Sequence, residues 1–180
     1  THLKALRETL CTHRQNMTTL LTMDLSKIDI VEKEERCLIT VDIDKHTSFE
    51  QEVEMITAET LKYQLGRLHQ ASYGSMISVA DLQNGDYEDY SRLFIEIPFL
   101  TPKEGLHTQP AGKYIRAFHK GGWDKIPLRY RAIMDFAAEQ GLTLSGYAYE
   151  MGINENVVDR IEDYIVQIEI PVLAQRFPLC

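Results

Sequence analysis

A six-residue stretch of this sequence occurs twice, and its recurrence strongly limits the possible folds. Residues 95–100 (IEIPFL) and 168–173 (IEIPVL) match almost position for position, 73 residues apart. His46 and His119 are separated by the same spacing. A single long repeat predicts two similar units that share one core, because a solenoid requires at least three shorter units.

The composition excludes one large class of partners. The chain has 180 residues, of which 44% are hydrophobic and 26% are charged, as expected of a globular domain. Its formal net charge is −8. Nucleic-acid binding draws most of its affinity from cations that neutralise phosphates, so this chain alone is not expected to bind DNA.

The cysteines and the apolar segments predict a cytoplasmic setting. Cys11, Cys37 and Cys180 are scattered and odd in number, which favours neither a disulfide framework nor a zinc site. No apolar run approaches the ~20 residues that span a bilayer, so no membrane partner is expected. The sequence starts at Thr1 within a helical pattern, which predicts a fragment of a longer protein.

The first 22 residues predict a coiled-coil helix. Apolar side chains occupy heptad a and d positions at Leu3, Leu6, Leu10, Met17 and Leu20. His13 fills the remaining position of the seam. The alternative is an amphipathic helix that packs on its own domain, since three heptads is about the shortest run that indicates a coiled coil.

Beyond this helix, the sequence predicts an α+β fold of two strand-helix-strand-strand units. The first unit has a strand pair at 28–30 and 37–45, a helix at 48–69, and a hairpin of strands at 75–82 and 92–97. The second has a strand at 113–119, a helix at 123–140, and strands at 142–150 and 164–170. The expected boundaries are 1–23 for the linker helix and 24–180 for the domain, with repeats at about 28–100 and 111–173.

The candidate binding residues are an acid and a set of aromatic side chains. Glu150 follows two tyrosines at the end of a strand, and rings beside one carboxylate suit a flat organic cation. An ordinary amphipathic strand has the same composition. The predicted ligand-binding residues are Glu150, Tyr147, Tyr149, Tyr164, Trp123, Phe118, Tyr114 and Glu169. Glu96 and Glu169 alternate with isoleucines, which also fits a solvated strand face, and Tyr130 and Phe136 are expected in the core.

The sequence gives no sign of a catalytic set, a metal site or a cofactor. His46 and His119 have no further ligands at metal spacing, so no metal is expected. The glycines after His119 can form an anion nest before a helix, or simply a turn. No nucleotide-binding or hydrolase motif is present, so no cofactor is expected.

A family resemblance rests on the order and spacing of motifs. His119-x-Gly-Gly-Trp precedes a helix with Arg-Tyr near its start, then Gly146-Tyr-x-Tyr-Glu150 and a last strand ending IEIPV. This order resembles the GyrI-like effector-binding domain, and the heptad helix is similar to the dimerising linker helix of MerR-family transcription regulators. The resemblance covers almost the whole chain.

The resemblance implies a ligand sensor with a pseudo-twofold GyrI-like (SHS2) fold. Its homodimer would form through the linker helix, and DNA would be bound only through a domain absent from this sequence. Glu150 would pair with cationic, lipophilic effectors in a multidrug-binding pocket. The sequence departs at Val166-Gln167, where many relatives carry Thr-Glu. Two alternatives remain: a GyrI-like hydrolase that uses pocket glutamates and tyrosines, and a gyrase-inhibitor-like interaction module.

The heptad pattern predicts that the chain self-associates through residues 1–22. Replacing Leu6 and Leu10 together by Asp places charges in the seam and should convert the dimer to a monomer. Sedimentation velocity measures the mass. An unchanged dimer mass would mean that the helix does not form the interface.

Overall fold

The computed structural model describes residues 24–63, 72–96, 105–154 and 158–173. These ranges contain eight strands and three α-helices. The strands are β1 (Ile28–Lys33), β2 (Arg36–Asp42), β3 (Ser72–Ser78), β4 (Tyr90–Glu96), β5 (His107–Gln109), β6 (Gly112–Lys120), β7 (Tyr147–Gly152) and β8 (Ile165–Pro171). The helices are α1 (Phe49–Lys62), α2 (Val79–Gln83) and α3 (Ile126–Glu139), with 3-10 turns at Trp123–Lys125 and Ile161–Asp163. The predicted coiled-coil helix lies outside the described residues.

All eight strands form one antiparallel sheet in the order β1-β6-β8-β7-β3-β4-β2-β5. The set β6-α3-β7-β8 and the set β2-α1-β3-β4 share their order of strands and long helix, and the second set has the short helix α2 in addition, between β3 and β4. In the sheet the three strands of each set are neighbours, in mirrored order, and the two sets meet at β7 and β3. This arrangement agrees with the two predicted strand-helix-strand-strand units. The predicted pairing of the first two strands is wrong, because β1 pairs with β6 and β2 pairs with β4 and β5.

The sheet curls strongly, and its inner face closes over an aromatic core. His107 on the edge strand β5 lies 2.9 Å from the hydroxyl of Tyr149 on β7, although β3, β4 and β2 lie between these strands in the sheet. Two buried clusters result, one under the helices and one on the inner face. The inner cluster contains Leu38, Met76, Phe94, Tyr114 and Tyr149.

The local signals for the helices are largely confirmed. Ser48 and Gln51 form a reciprocal capping box at the start of α1. Pro127 occupies the first turn of α3, and Gly141 follows its last turn with a φ of 63°. No helix in the described ranges is long and apolar enough to cross a membrane.

Two predicted strands are shorter than expected. The strand predicted at 75–82 ends at Ser78, because the Ser78 side chain caps the short helix α2. The strand predicted to start at residue 142 begins at Tyr147, and before it Leu144 makes only an isolated bridge to Val172. Alternation alone did not separate these strands from the turns that precede or follow them.

The close contact at Gly74 gives a stability prediction. A methyl group there would lie 2.1 Å from the carbonyl oxygen of Glu150 and 2.4 Å from the ring of Phe94. Since the carbonyl belongs to the sheet backbone, Gly74→Ala should lower the free energy of unfolding by about 3 kcal/mol. Urea unfolding measures the loss, with Ser72→Ala in the same strand as control. Equal stability of the two variants would contradict the tight contact.

Candidate functional site

A cleft of about 370 Å³ opens on the helix-bearing side of the sheet, where the two strand trios meet. Its floor is formed by β3, β7 and neighbouring strands, and its walls by α1 and the segment that begins α3. The lining residues are Phe49, Glu52, Val53, Ile56, Tyr73, Gly74, Ser75, Tyr90, Leu93, Trp123, Ile126, Glu150, Met151, Gly152, Tyr164 and Val166. The lining is mainly apolar and aromatic, and this volume is typical of small-molecule sites.

Glu150 is a buried carboxylate in this cleft, with 5% of its surface exposed. Its Oε1 accepts a hydrogen bond from the Tyr130 hydroxyl at 2.6 Å and one from the Tyr90 hydroxyl at 2.9 Å. Oε2 lies 3.1 Å from the same Tyr90 hydroxyl. Among the described residues, no Lys, Arg or His side chain lies within ion-pair distance of Glu150. The carboxylate therefore has hydrogen-bond donors but no counter-ion from this part of the chain.

The environment of Glu150 favours the protonated acid. Burial raises its pKa from the ordinary 4.5 to about 7, and the hydrogen bonds from Tyr130 and Tyr90 oppose only part of this rise. The pKa values of both tyrosines are raised, chiefly by burial and then by the neighbouring carboxylate, so they remain hydrogen donors. Near neutral pH the carboxyl group is thus poised between two charge states.

The cleft also exposes large apolar side chains. The apolar stripe predicted on α1 includes Phe49 and Val53, yet Phe49 is 74% exposed. Across the cleft Trp123 is 60% exposed, and its ring meets that of Tyr164 edge-on at 5.8 Å. The stripe on α1 therefore faces the cleft and not a closed core. Apolar surface left open in this way is typical of a site that a ligand covers.

The structure brings together three of the residues predicted to bind ligand. Glu150, Trp123 and Tyr164 all line the cleft. Tyr147 and Tyr149 lie on the opposite face, because neighbouring side chains of a strand alternate between the two faces.

On β6, the same alternation separates two more predicted residues from the cleft. Tyr114 belongs to the inner cluster, and Phe118 shares its side of the strand. Tyr114 donates a 2.6 Å hydrogen bond to the carbonyl of Pro110, and burial raises its pKa to about 12. The inner aromatics therefore pack within the sheet and do not surround Glu150.

Glu169 is also separated from the cleft, and it is not the solvated residue that alternation favoured. It is 3% exposed, and its Oε2 pairs with Lys33. Its Oε1 pairs with Arg116, whose Nε and Nη2 each lie 2.8 Å away. Two cations compensate its charge in the inner core, so its role in the structure is that of an ion-pair partner. Glu96 is partly exposed and pairs with Arg36.

Sequence reasoning missed the two tyrosines that hold Glu150. Tyr130 is on the buried stripe of α3, as expected, but its hydroxyl needs a hydrogen-bond partner there. That requirement was a usable signal, since a buried tyrosine and a strand glutamate in one unit are natural partners. Tyr90, from the other unit, carried no comparable signal.

His119 has a structural contact. His119 is buried, and its Nε2 lies 2.9 Å from the carbonyl of Gly122, so it closes the glycine turn before Trp123. No group of three or more His, Cys, Asp or Glu side chains is placed to hold a metal ion within the described ranges.

Several solved structures have the same fold as this chain. The C-terminal domain of EcmrR superimposes with a TM-score of 0.62 at 17% identity, over 83% of this chain and 99% of that domain. EcmrR in its complex with DNA matches 94% of this chain and 68% of its own, with a TM-score of 0.59 at 17% identity. The fold is GyrI-like. A hydrolase from Listeria innocua has it too, with a TM-score of 0.59 at 12% identity over 88% of this chain and 98% of its own.

Comparison by sequence finds no relative of this chain. No protein-family profile matches the sequence, and no curated protein matches it either. The likeness to EcmrR and to the hydrolase is therefore a likeness of fold.

The raised pKa of Glu150 predicts a pH-dependent stability. Between pH 4.5 and about 7 the folded protein holds a proton that the unfolded chain has released, so the free energy of unfolding falls as pH rises through this window. Above about pH 7 the loss reaches about 3 kcal/mol and stays constant. The Glu150→Gln variant should not show this fall in the free energy of unfolding, because an amide does not titrate. Urea unfolding of both proteins measures the difference, and parallel stability curves from about pH 4 to 8 would contradict it.

Proposed function

We propose that this chain is a ligand-sensing domain that binds small hydrophobic aromatic cations in the Glu150 cleft. The observation that carries the proposal is a buried carboxylate with tyrosine donors and no cationic partner among the described residues, in a cleft with aromatic walls. Burial of an uncompensated charge is costly, and a ligand that brings the opposite charge offsets that cost. Glu150, which has no ion-pair partner in the described ranges, thus selects a cation over a neutral molecule of the same shape.

The walls of the cleft account for the hydrophobic part of the ligand. Phe49 and Trp123 offer exposed aromatic surface from opposite sides, so a flat ligand gains both apolar burial and cation–π attraction. Glu52 also lines the cleft, on a partly exposed position of α1. Its charge is screened by solvent, so it contributes less to the choice of ligand than Glu150 does.

We further propose that the domain serves a dimeric, MerR-type transcription regulator. The heptad pattern of residues 1–22 and the fold likeness to EcmrR, which extends over 94% of this chain, support this assignment. The net charge of −8 supports DNA contacts made by another domain and not by this one. Ligand binding would then be reported through the linker helix.

A hydrolase is the second candidate. A carboxyl group with a pKa of about 7 is suited to general acid–base catalysis, and Tyr90 and Tyr130 lie within hydrogen-bonding distance of it. The fold likeness to a hydrolase adds weight. Turnover of aryl esters that is lost in Glu150→Gln would favour the enzyme over the sensor.

Matched ligands test the binding proposal. Tetraphenylphosphonium and neutral triphenylphosphine oxide differ in charge but share phenyl surface. Glu150→Gln keeps the size of the side chain and removes its charge, so we expect the cation to bind about tenfold to a hundredfold more weakly in this variant. The neutral ligand should change less than about threefold. Tryptophan quenching at about pH 8, where Glu150 is ionised, or calorimetry measures both.

Glu139→Gln is the matched control, because Glu139 ends α3 outside the cleft. It should leave both affinities unchanged. Equal losses for the cation and the neutral ligand in Glu150→Gln would show that charge pairing at Glu150 does not select the ligand.

A further inference from the structure

Arg129 makes an unusual set of backbone contacts. Its Nη2 lies within hydrogen-bonding distance of three successive carbonyl oxygens, those of Leu25 at 3.2 Å, Ser26 at 3.0 Å and Lys27 at 2.9 Å, so its two hydrogens are shared among three acceptors. Carbonyl oxygens that converge on one point repel one another unless a cation lies between them, and the guanidinium supplies that charge. Arg129 therefore fixes the turn at residues 24–27 against α3.

The turn at residues 24–27 is held together by its own hydrogen bonds. The carboxylate of Asp24 accepts from the backbone nitrogen of Ser26 at 3.0 Å and from its hydroxyl at 2.6 Å. The nitrogen of Lys27 donates to the carbonyl of Asp24 at 3.2 Å. These bonds make the turn a unit that leads directly into β1 and follows the residues predicted to form the linker helix.

The helix that carries Arg129 also carries part of the ligand site. Tyr130, the next residue of α3, donates to Glu150, while Ile126 and the preceding Trp123 line the cleft. Ile126, Tyr130, Ile133 and Ala137 are buried along one stripe, so one face of α3 packs against the core along its length. Its start has no side-chain cap and follows the glycine turn at Gly121, so the contacts of Trp123 and Tyr130 position it.

We propose that Arg129 is a positioning residue that couples the Glu150 cleft to the turn at residues 24–27. The inference rests on the proposed ligand binding. A ligand that packs on Trp123 and Ile126 holds the start of α3 in place. Arg129 on this helix then keeps its contacts with the three carbonyl oxygens of the turn. Hydrogen bonds of 2.9–3.2 Å are lost when the partners separate by roughly half an ångström more, so a small displacement of α3 releases the turn.

Hydrogen–deuterium exchange of the full chain tests this coupling. Saturating tetraphenylphosphonium should slow exchange of the amides at residues 24–28 several-fold in the unmodified protein. Arg129→Gln should abolish this ligand-dependent slowing, and Arg129→Lys should restore part of it, since an ammonium group still donates to carbonyls. By reciprocity, the affinity for tetraphenylphosphonium should fall in Arg129→Gln by no more than the same factor.

Arg131→Gln is the matched control on the same helix. Arg131 lies over the ring of Tyr87 and not against the turn. We expect this variant to keep the full ligand-dependent slowing. A purely local role of Arg129 would raise exchange in the turn by the same factor with and without ligand, and that result would overturn the proposal.

A second arm needs no ligand and so separates this inference from the proposed function. Tyr130→Phe removes the hydroxyl that bonds Glu150 and keeps the ring. It should speed exchange of the turn at residues 24–27 in the unmodified background but not in the Arg129→Gln background. Independent, multiplicative effects would refute the coupling. Absence of tetraphenylphosphonium binding to the unmodified protein would refute the cation site, while this arm would still decide the role of Arg129.

Discussion

The burial of Glu150 without a cationic partner from the described residues is the constraint on which the arrangement of the cleft depends. The carboxylate is retained by two tyrosine hydroxyls, one from each strand-helix-strand-strand unit. Tyr90 comes from β4 of the first unit, whereas Tyr130 comes from α3 of the second. The hydrogen bonds that stabilise this charge therefore also join the two units across the centre of the sheet.

A second buried carboxylate shows how the same sheet treats a charge that has only a structural role. Glu169 lies on β8, next to the strand of Glu150, but on the inner face and between Lys33 and Arg116. Its charge is compensated within the protein, as buried ions usually are. The contrast between the two glutamates, and not burial alone, distinguishes Glu150, which has no ion-pair partner among the described residues.

The periodic part of the fold was predictable, and the part set by sheet curvature was not. The capping box at Ser48, the α3 stripe and the IEIPV strand follow from local pattern. Glu150 was singled out because it follows two tyrosines in a predicted strand, although β7 continues to Gly152. Pattern does not encode which strand pairs with β1, since that depends on tertiary packing. Tyr147 and Tyr149 were expected beside Glu150, but alternation places them on the other face. Tyr90 entered the site only through pairing between distant strands.

The alternation along β7 has a consequence for how such a domain can diversify. Odd positions of this strand, Tyr147 and Tyr149, face the interior that holds the curled sheet together, and the intervening Glu150 faces the cleft. Substitutions that change the cleft and substitutions that change the stability of the sheet therefore fall on alternate residues of this one short strand. Substitutions can therefore accumulate at the cleft-facing positions while selection for a closed sheet acts on the tyrosines.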